Sequence, residues 1–252
     1  MLRWHGCIYI VALFVSQAST ASYLAHFLFY ANWPPMQVGG AASHIWSLCI
    51  EVQFYIGIAL LVALLGKRGL YLLPALCLAV TLYRVVNDAH IAINTFFRVD
   101  EILAGSVLAL IYNKRLGDWP RLLLSRGNQV LLLLLLLVAC HPGSGFMNYF
   151  RPYFAAMLVG ATLFNNDTRI AGTLDNRVLF YIAAISYALY VIHPILSHTW
   201  LGSGEGVEKY VKRPLLFGAL FLSAHISTFY FEHRWVAFGK RLSMQWRGKQ
   251  CT

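Results

Sequence analysis

The chain has 252 residues, of which 59% are hydrophobic and only 12% are charged. Soluble domains average roughly 45 to 50% apolar and about 25% charged residues, so these charges are too few to cover a soluble surface. The composition excludes a disordered chain, a collagen, a disulfide scaffold and a cytosolic enzyme. The net charge of +10 indicates orientation in a membrane and not nucleic-acid binding. We predict an all-α fold, a polytopic transmembrane helical bundle.

About eight segments are apolar enough to cross roughly 30 Å of hydrocarbon as helices, and together they predict a single domain over residues 1–252. In chain order these segments are 7–21, 46–65, 69–86, 95–112, 122–140, 149–164, 178–200 and 214–231. Residues 23–33 could instead form a separate interfacial helix. Gly127-Asn128 could begin a helix inside the fifth segment, and that helix would be too short to span alone.

The loops between these segments differ in charge from one side to the other. Most of the 20 lysines and arginines fall on alternate loops, on the side that also contains both ends of the chain. Because cytoplasmic loops hold the excess of Lys and Arg, the pattern predicts cytoplasmic termini. The five cysteines have no C-x-x-C spacing, so we predict no disulfide framework and no metal site.

The second segment contains ionisable side chains, which in a membrane require either an oppositely charged partner or a functional role. A charge near the middle of a bilayer costs about 2.5 to 3.5 kcal/mol on insertion scales. His44, Ser47 and Glu51 have i, i+3 and i+7 spacing, which predicts that they share one face of a helix. Glu51 either pairs with an arginine that locks two helices together or takes part in binding or catalysis.

The third and fourth segments carry opposite charges at helical spacing. Arg98 and Glu101, at i and i+3, are spaced for an internal ion pair, which leaves Asp100 in need of another partner. Arg84 and Asp88, at i and i+4, are predicted to form a pair at the surface.

The seventh segment carries a polar stripe that predicts the wall of a cavity. The stripe consists of Ser186, Tyr190, His193 and Ser197, and Pro194 should distort the helix beside it. With the predicted orientation, the polar groups of the second, fourth, sixth and seventh segments lie in the outer half of the membrane. We therefore predict that they converge on one cleft that opens to the outside.

The second segment opens with a compact motif made of Trp46, Ser47, Leu48, Glu51, Gln53, Phe54 and Tyr55. This motif resembles the acyltransferase family 3 membrane proteins, in which the same helix reads W-S-L-x-x-E-x-Q-F-Y. Residues 97–105 are similar to the family's R-x-D-E-L-L-x-G stretch, and residues 185–194 to its S-Y-x-L-Y-L-x-H-P stretch. Residues 230–232 are similar to its closing Y-x-F-E-x-P, so the resemblance covers nearly the whole chain.

This resemblance implies transfer of an acyl group, in this case acetyl, from cytoplasmic acyl-CoA to a hydroxyl of an extracytoplasmic glycan. It implies an integral protein of the bacterial inner membrane, with acyl-CoA as donor substrate, no tightly bound cofactor, and the bilayer and a glycan or glycolipid acceptor as partners. The implied catalytic residues are His44, Ser47, Glu51 and His193. The implied substrate-binding residues are Trp46, Tyr55, Arg98, Asp100, Glu101, Arg151 and Tyr190.

The resemblance also implies a shortened amino end. Residues 3–10 are similar to a basic R-x-x-R-I-x-P stretch of the family, with Cys7 at the second arginine and Ile10 at the proline. The family has about ten spans, and its presumed catalytic histidine lies on the first of them, ahead of this stretch. The chain would then begin at the third span, with His44 and His193 as substitute bases. Two other interpretations stay open: a transporter or flippase of a polar lipid or glycan, and a noncatalytic remnant that requires another polypeptide.

Overall fold

The structure, a computed structural model, describes residues 20–34, 44–165 and 168–248. Over these ranges it contains helices and no strand, which confirms the predicted all-α class. The α-helices are α1 (Thr20–Phe27), α2 (Trp46–Leu65), α3 (Leu73–Val86), α4 (Thr95–Arg98), α5 (Asp100–Tyr112), α6 (Trp119–Ser125), α7 (Gln129–Cys140), α8 (Arg151–Phe164), α9 (Arg169–Leu174), α10 (Arg177–Ser197), α11 (Gly206–His225) and α12 (His233–Gly248). Two 3-10 helices (Gly66–Leu72 and Pro142–Phe150) and a π-helix (Ile226–Glu232) lie between them.

Three helical stretches of the described chain are long and apolar enough to cross a membrane. They are Trp46–Val86, Arg177–Ser197 and Gly206–Arg241. A fourth arises if α6 and α7, which meet at a bend of 90°, form one broken span. These stretches support a helical membrane protein, but they do not amount to the eight crossings that the sequence predicted. Of the first predicted crossing, 7–21, and of the basic stretch 3–10, all but residues 20 and 21 lie outside the described residues.

The bend between α6 and α7 has a local cause in the sequence. The side-chain Oδ1 of Asn128 accepts hydrogen bonds from the backbone N–H groups of Val130 and Leu131, at 3.0 and 3.1 Å. This is an N-cap, which satisfies donors that the first turn of a helix leaves without partners. The predicted helix start at Gly127-Asn128 is therefore confirmed. At 12 residues α7 is about 18 Å long, less than the hydrocarbon thickness.

The chain divides into two compact units, which are treated separately. We call residues 29–35 and 46–176 the central unit and the remaining residues the terminal unit. In the central unit, α5 packs against α3 and α8, and α8 also packs against α6 and α7. Its core contains Leu73, Cys77, Leu103, Ala104 and Leu110. Gly160 permits the close approach of α8, because a Cβ there would lie 2.9 Å from side-chain carbons of Leu108 and Leu124.

In the terminal unit, α10 packs against α11 around the buried residues Ile185, Ala188 and Ala224. Small residues at this contact let the two helix backbones approach closely, as is usual for helix pairs in membranes. The polar stripe predicted for the seventh segment lies on α10 of this pair, so this unit positions the first group of candidate site residues.

Candidate active site and charged network

Pro194 determines how the His193 side chain is held in α10. Proline has no N–H, so the carbonyl four residues earlier, that of Tyr190, loses its usual helical donor. The Nδ1 of His193 lies 2.8 Å from that carbonyl oxygen. Since a carbonyl can only accept, Nδ1 carries the proton, and in the neutral ring the lone pair is on Nε2. The helix continues through Pro194 to Ser197, so the predicted distortion stays a prediction, and the side-chain bond fixes the histidine tautomer.

Tyr190 connects this histidine to His44. Its hydroxyl donates to the backbone carbonyl of His44 at 2.6 Å. The His44 ring lies 5.4 Å from the Tyr190 ring and 5.7 Å from the His193 ring, measured between centroids. All three residues belong to the terminal unit, and Tyr190 follows His44 by 146 positions in the chain. Folding therefore brings two of the predicted catalytic residues and one predicted substrate-binding residue together.

An open groove of about 530 Å³ runs along Tyr190 and His193 between α10 and α11. One wall contains the whole predicted stripe, Ser186, Tyr190, His193 and Ser197, and this confirms the prediction of a cavity wall. The opposite wall is apolar and includes Phe217 and Phe221. The groove thus combines an exposed imidazole with room for an apolar or sugar-sized group beside it.

The central unit contains a second group of predicted site residues, built around Glu101. Its Oε1 lies 2.5 Å from Nη2 of Arg151 and 3.3 Å from Nη2 of Arg98. The expected Arg98–Glu101 pair is confirmed, and Arg151 adds a second cation that sequence spacing did not predict. The Arg98 guanidinium also lies over the Trp46 ring, 5.4 Å from its centroid. These four residues come from α2, α4, α5 and α8.

The partner of Asp100 is Arg84, with 2.5 Å between Oδ2 and Nη1. Both side chains are almost completely inaccessible, at 0% and 1% exposure. The predicted surface pair of Arg84 with Asp88 is therefore wrong, and Asp88 instead lies 2.9 Å from Nε2 of His90. Arg84 turns inward because Asp100 begins α5 as a buried carboxylate, and a buried charge requires an opposite charge nearby. Asp100 consequently acts in this structure as a link between α3 and α5.

The residues of the predicted stripe, His44, Ser47 and Glu51, divide between the two units. His44 precedes α2 and belongs to the terminal unit, whereas Ser47 and Glu51 lie on α2 in the central unit. Glu51 accepts a hydrogen bond from the hydroxyl of Tyr55 at 2.6 Å. No Lys or Arg of the described chain forms an ion pair with Glu51, so the arginine partner considered for it is not found among the described residues.

A family model described as an acyltransferase domain matches residues 2–233. The chain belongs to acyltransferase family 3. No curated protein and no solved structure matches it. Family membership and the apolar helices together make the chain an integral membrane protein of the acyltransferase type. Every residue of the two groups above lies within the matched range.

In this acyltransferase, the glutamine of the W-S-L-x-x-E-x-Q-F-Y motif has a structural role that sequence reasoning missed. The Gln53 amide donates to the carbonyl of Phe29 at 2.5 Å and to Oδ1 of Asn32 at 3.0 Å. Its Oε1 accepts from the Thr95 hydroxyl and, at 3.2 Å, from Nε1 of Trp33. Gln53 thus joins α2 to the segment before it and to the start of α4. The motif contains Gln53, but the residues that bind it are distant in sequence, so the motif alone does not indicate them.

The two groups of site residues are each formed inside one unit of the acyltransferase. His44, Tyr190 and His193 come together in the terminal unit. Trp46, Arg98, Glu101 and Arg151 come together in the central unit, with Glu51 and Tyr55 as a separate pair on α2. The predicted convergence of all of them on one outward cleft stays a prediction.

Proposed function

We propose that the chain is an O-acyltransferase that moves an acetyl group from acetyl-CoA to a hydroxyl of an extracytoplasmic glycan. Family membership supports acyl transfer in general. The single observation that carries the specific reaction is the state of His193. Its Nδ1–H donates to the Tyr190 carbonyl, which in the neutral ring leaves the lone pair on Nε2, and the exposed ring lines an open groove. Such a nitrogen is suited to accept the proton of an attacking hydroxyl.

The reaction follows from ordinary acyl transfer. The acceptor oxygen attacks the thioester carbonyl of acetyl-CoA while Nε2 of His193 takes the hydroxyl proton. The tetrahedral oxyanion then collapses, the C–S bond breaks, and the coenzyme A thiolate recovers the proton from Nε2–H. The products are the acetyl ester and free coenzyme A, and the histidine returns to its starting state. The bond from Nδ1 to the Tyr190 carbonyl helps to hold the imidazolium that forms in between.

The other predicted catalytic residues have supporting parts in this proposal. The His44 ring is near enough to His193 to donate to the oxyanion or to orient the acceptor. Ser47 and the Glu51–Tyr55 pair on α2 are proposed to bind hydroxyl groups of the acceptor, since carboxylate and hydroxyl groups match those of sugars. We propose that Trp46, Arg98, Glu101 and Arg151 bind the acceptor as well, and that Asp100 positions them through its pair with Arg84.

The location of the reaction is also part of the proposal. The excess of Lys and Arg on alternate loops supports cytoplasmic termini, and the family supports a location in the bacterial inner membrane. In that orientation, the donor arrives from the cytoplasm, and the acceptor hydroxyl is presented from the outside.

The experiment that tests the function uses membranes from cells that express the full chain. Radiolabelled acetyl-CoA is supplied, and label is measured in the purified glycan fraction before and after mild alkali. An acetyl ester is released by alkali, whereas an acetyl amide is retained, so alkali-labile label identifies O-acylation. We expect labelling above that of membranes lacking the chain, and loss of most of it in H193Q.

A matched histidine controls for damage to the fold. His198 makes the same kind of bond, from Nδ1 to the Pro194 carbonyl at 2.7 Å, but it does not line the groove. We expect H198Q to label the glycan as the unaltered chain does. Absence of label from well-folded protein would reject the proposal and favour the remnant. Movement of unmodified glycan across vesicles without label would favour the flippase.

A further inference from the structure

The group around Glu101 in the central unit carries more positive than negative charge. We call Trp46, Arg98, Glu101 and Arg151 the arginine cluster. The charges that act on Arg98 are the carboxylates of Glu101 and Asp100 and the guanidinium groups of Arg151 and Arg84. Three cations therefore face two anions, and Arg84 and Asp100 already neutralise each other. The arginine cluster itself contains two guanidinium groups and one carboxylate.

Arg98 is the group whose bonding is least complete. Its only ion-pair contact in the described chain is with Glu101 Oε1 at 3.3 Å, and Arg151 occupies that same oxygen at 2.5 Å. Its Nε is buried and has no hydrogen-bond partner among the residues that the structure describes. The side chain is only 15% exposed, so water reaches little of it. A guanidinium has five N–H donors, and most of those on Arg98 have no hydrogen-bond acceptor among the described residues.

No other carboxylate of the described ranges forms an ion pair with Arg98. Glu51 accepts from Tyr55 and lies beyond 4 Å of every described cation. Asp100 forms an ion pair with Arg84 at 2.5 Å. A largely desolvated charge that is only partly compensated is costly, and proteins retain it where a ligand of opposite charge arrives. The Trp46 ring, 5.4 Å from the Arg98 guanidinium, covers one face of it.

We propose that the arginine cluster binds a singly charged oxyanion, a carboxylate or a phosphodiester, on the acceptor. One surplus positive charge matches one negative charge, and the planar arginine fork matches two oxygens of either group. This inference rests on the proposed function for its biological meaning, because it makes the acceptor an acidic glycan. The binding itself does not depend on acyl transfer and can be measured without it.

The test measures ligand-induced stabilisation of the purified full chain in neutral detergent micelles. Thermal unfolding is followed at constant ionic strength with glucuronate, dimethyl phosphate or neutral glucose, because a ligand of the folded state raises the midpoint by mass action. We expect a concentration-dependent rise with at least one anion and none with glucose. In R98Q the apparent dissociation constant should increase about 10- to 100-fold, as expected for a lost charged hydrogen-bonded pair.

Two further variants separate binding from structural damage. Arg121 also stacks on a ring, 5.2 Å from the centroid of Phe164, so R121Q should keep the full anion effect. E101Q removes the competing carboxylate and should bind the anion more tightly than the unaltered chain, a gain that damage to the fold cannot produce. Equal effects of glucose and the anions, or an undiminished anion effect in R98Q together with no gain in E101Q, would overturn the proposal.

The source of the anion is distinguished by repeating the test in nanodiscs of neutral or anionic phospholipid. If only the anionic lipid gives stabilisation that depends on Arg98, the cluster binds a lipid headgroup and the acidic acceptor is overturned. If the labelling experiment succeeds with a neutral glycan while no anion binds, this inference fails and the proposed function stands. Anion binding without any acyl transfer would reject the proposed function and leave this inference standing.

Discussion

The Nδ1 of His193 donates to the backbone carbonyl of Tyr190 at 2.8 Å, in the place where a residue other than proline at position 194 would have donated. The helix defect and the state of the imidazole are therefore one feature. A histidine-proline pair inside an apolar helix leaves one carbonyl without a partner, and the preceding histidine is the nearest side chain able to satisfy it. This geometry leaves Nε2 as the nitrogen available to a substrate.

Replacing Pro194 should increase stability and decrease activity at the same time. In P194A the new N–H competes for the Tyr190 carbonyl, and removal of an interior proline can stabilise a helix by about 3 kcal/mol. With Nδ1 displaced, we expect acyl transfer to fall roughly 10-fold or more, since small misplacements of catalytic groups are costly. Thermal unfolding and the labelling assay measure the two effects on the same preparation.

The control for that variant is Pro214, which lies inside α11 with no histidine before it. P214A should raise the unfolding temperature without loss of transfer. Full activity in P194A would show that proline has no part in preparing His193.

Loss of the Tyr190 hydroxyl should reduce acyl transfer measurably, but less than loss of the His193 imidazole. Y190F removes the 2.6 Å bond to the His44 carbonyl, and a bond of this kind contributes about 0.5 to 1.5 kcal/mol. If the bond is used to hold His44 beside His193, transfer should fall about 2- to 10-fold. Exposed Tyr210, whose ring lies 4.3 Å from the Arg213 guanidinium, provides the comparison, because Y210F keeps that ring contact. Equal activities of the two variants would remove His44 from the site.

The pair of Arg84 and Asp100 should be the ionic contact on which folding of the central unit depends most. R84M leaves a fully buried carboxylate without its cation, a change that typically costs about 3 to 5 kcal/mol. We expect a large drop in the unfolding temperature in micelles, and partial recovery in R84M/D100L, which removes both charges. The exposed pair of Lys114 and Asp118 should tolerate K114M without such a drop. A thermally unaltered R84M would contradict the assignment.

Gln53 should not tolerate the nearly isosteric change to glutamate. Its amide N–H groups face the carbonyl oxygens of Phe29 and Asn32, so a carboxylate there would place acceptor against acceptor. Loss of these donors should cost about 1 to 3 kcal/mol for each buried group left without a partner. Size-exclusion profiles of detergent-extracted Q53E should show less folded protein than those of the unaltered chain. A normal profile and unfolding temperature would show that the network is dispensable.

Local sequence patterns predicted the features that arise within a few residues of each other. The N-cap at Asn128, the i, i+3 pair of Arg98 and Glu101, and the polar wall from Ser186 to Ser197 follow from helical spacing and capping chemistry, and all are present. The motif around Glu51 identified the family because it is a compact string of residue types. The eight predicted crossings are not confirmed, and hydropathy does not reveal breaks such as the one at Val99 between α4 and α5.

By itself, the sequence determined that this is a helical membrane protein of acyltransferase family 3, because composition and short-range periodicity are fixed by the order of residues. Only the tertiary structure decided which charges meet. Arg84 reaches Asp100 instead of Asp88, Arg151 joins Glu101, and Tyr190 joins His44 across 146 positions. The physical reason is that a buried charge or polar group is satisfied by whichever partner helix packing brings near, and sequence spacing specifies neighbours only along one helix.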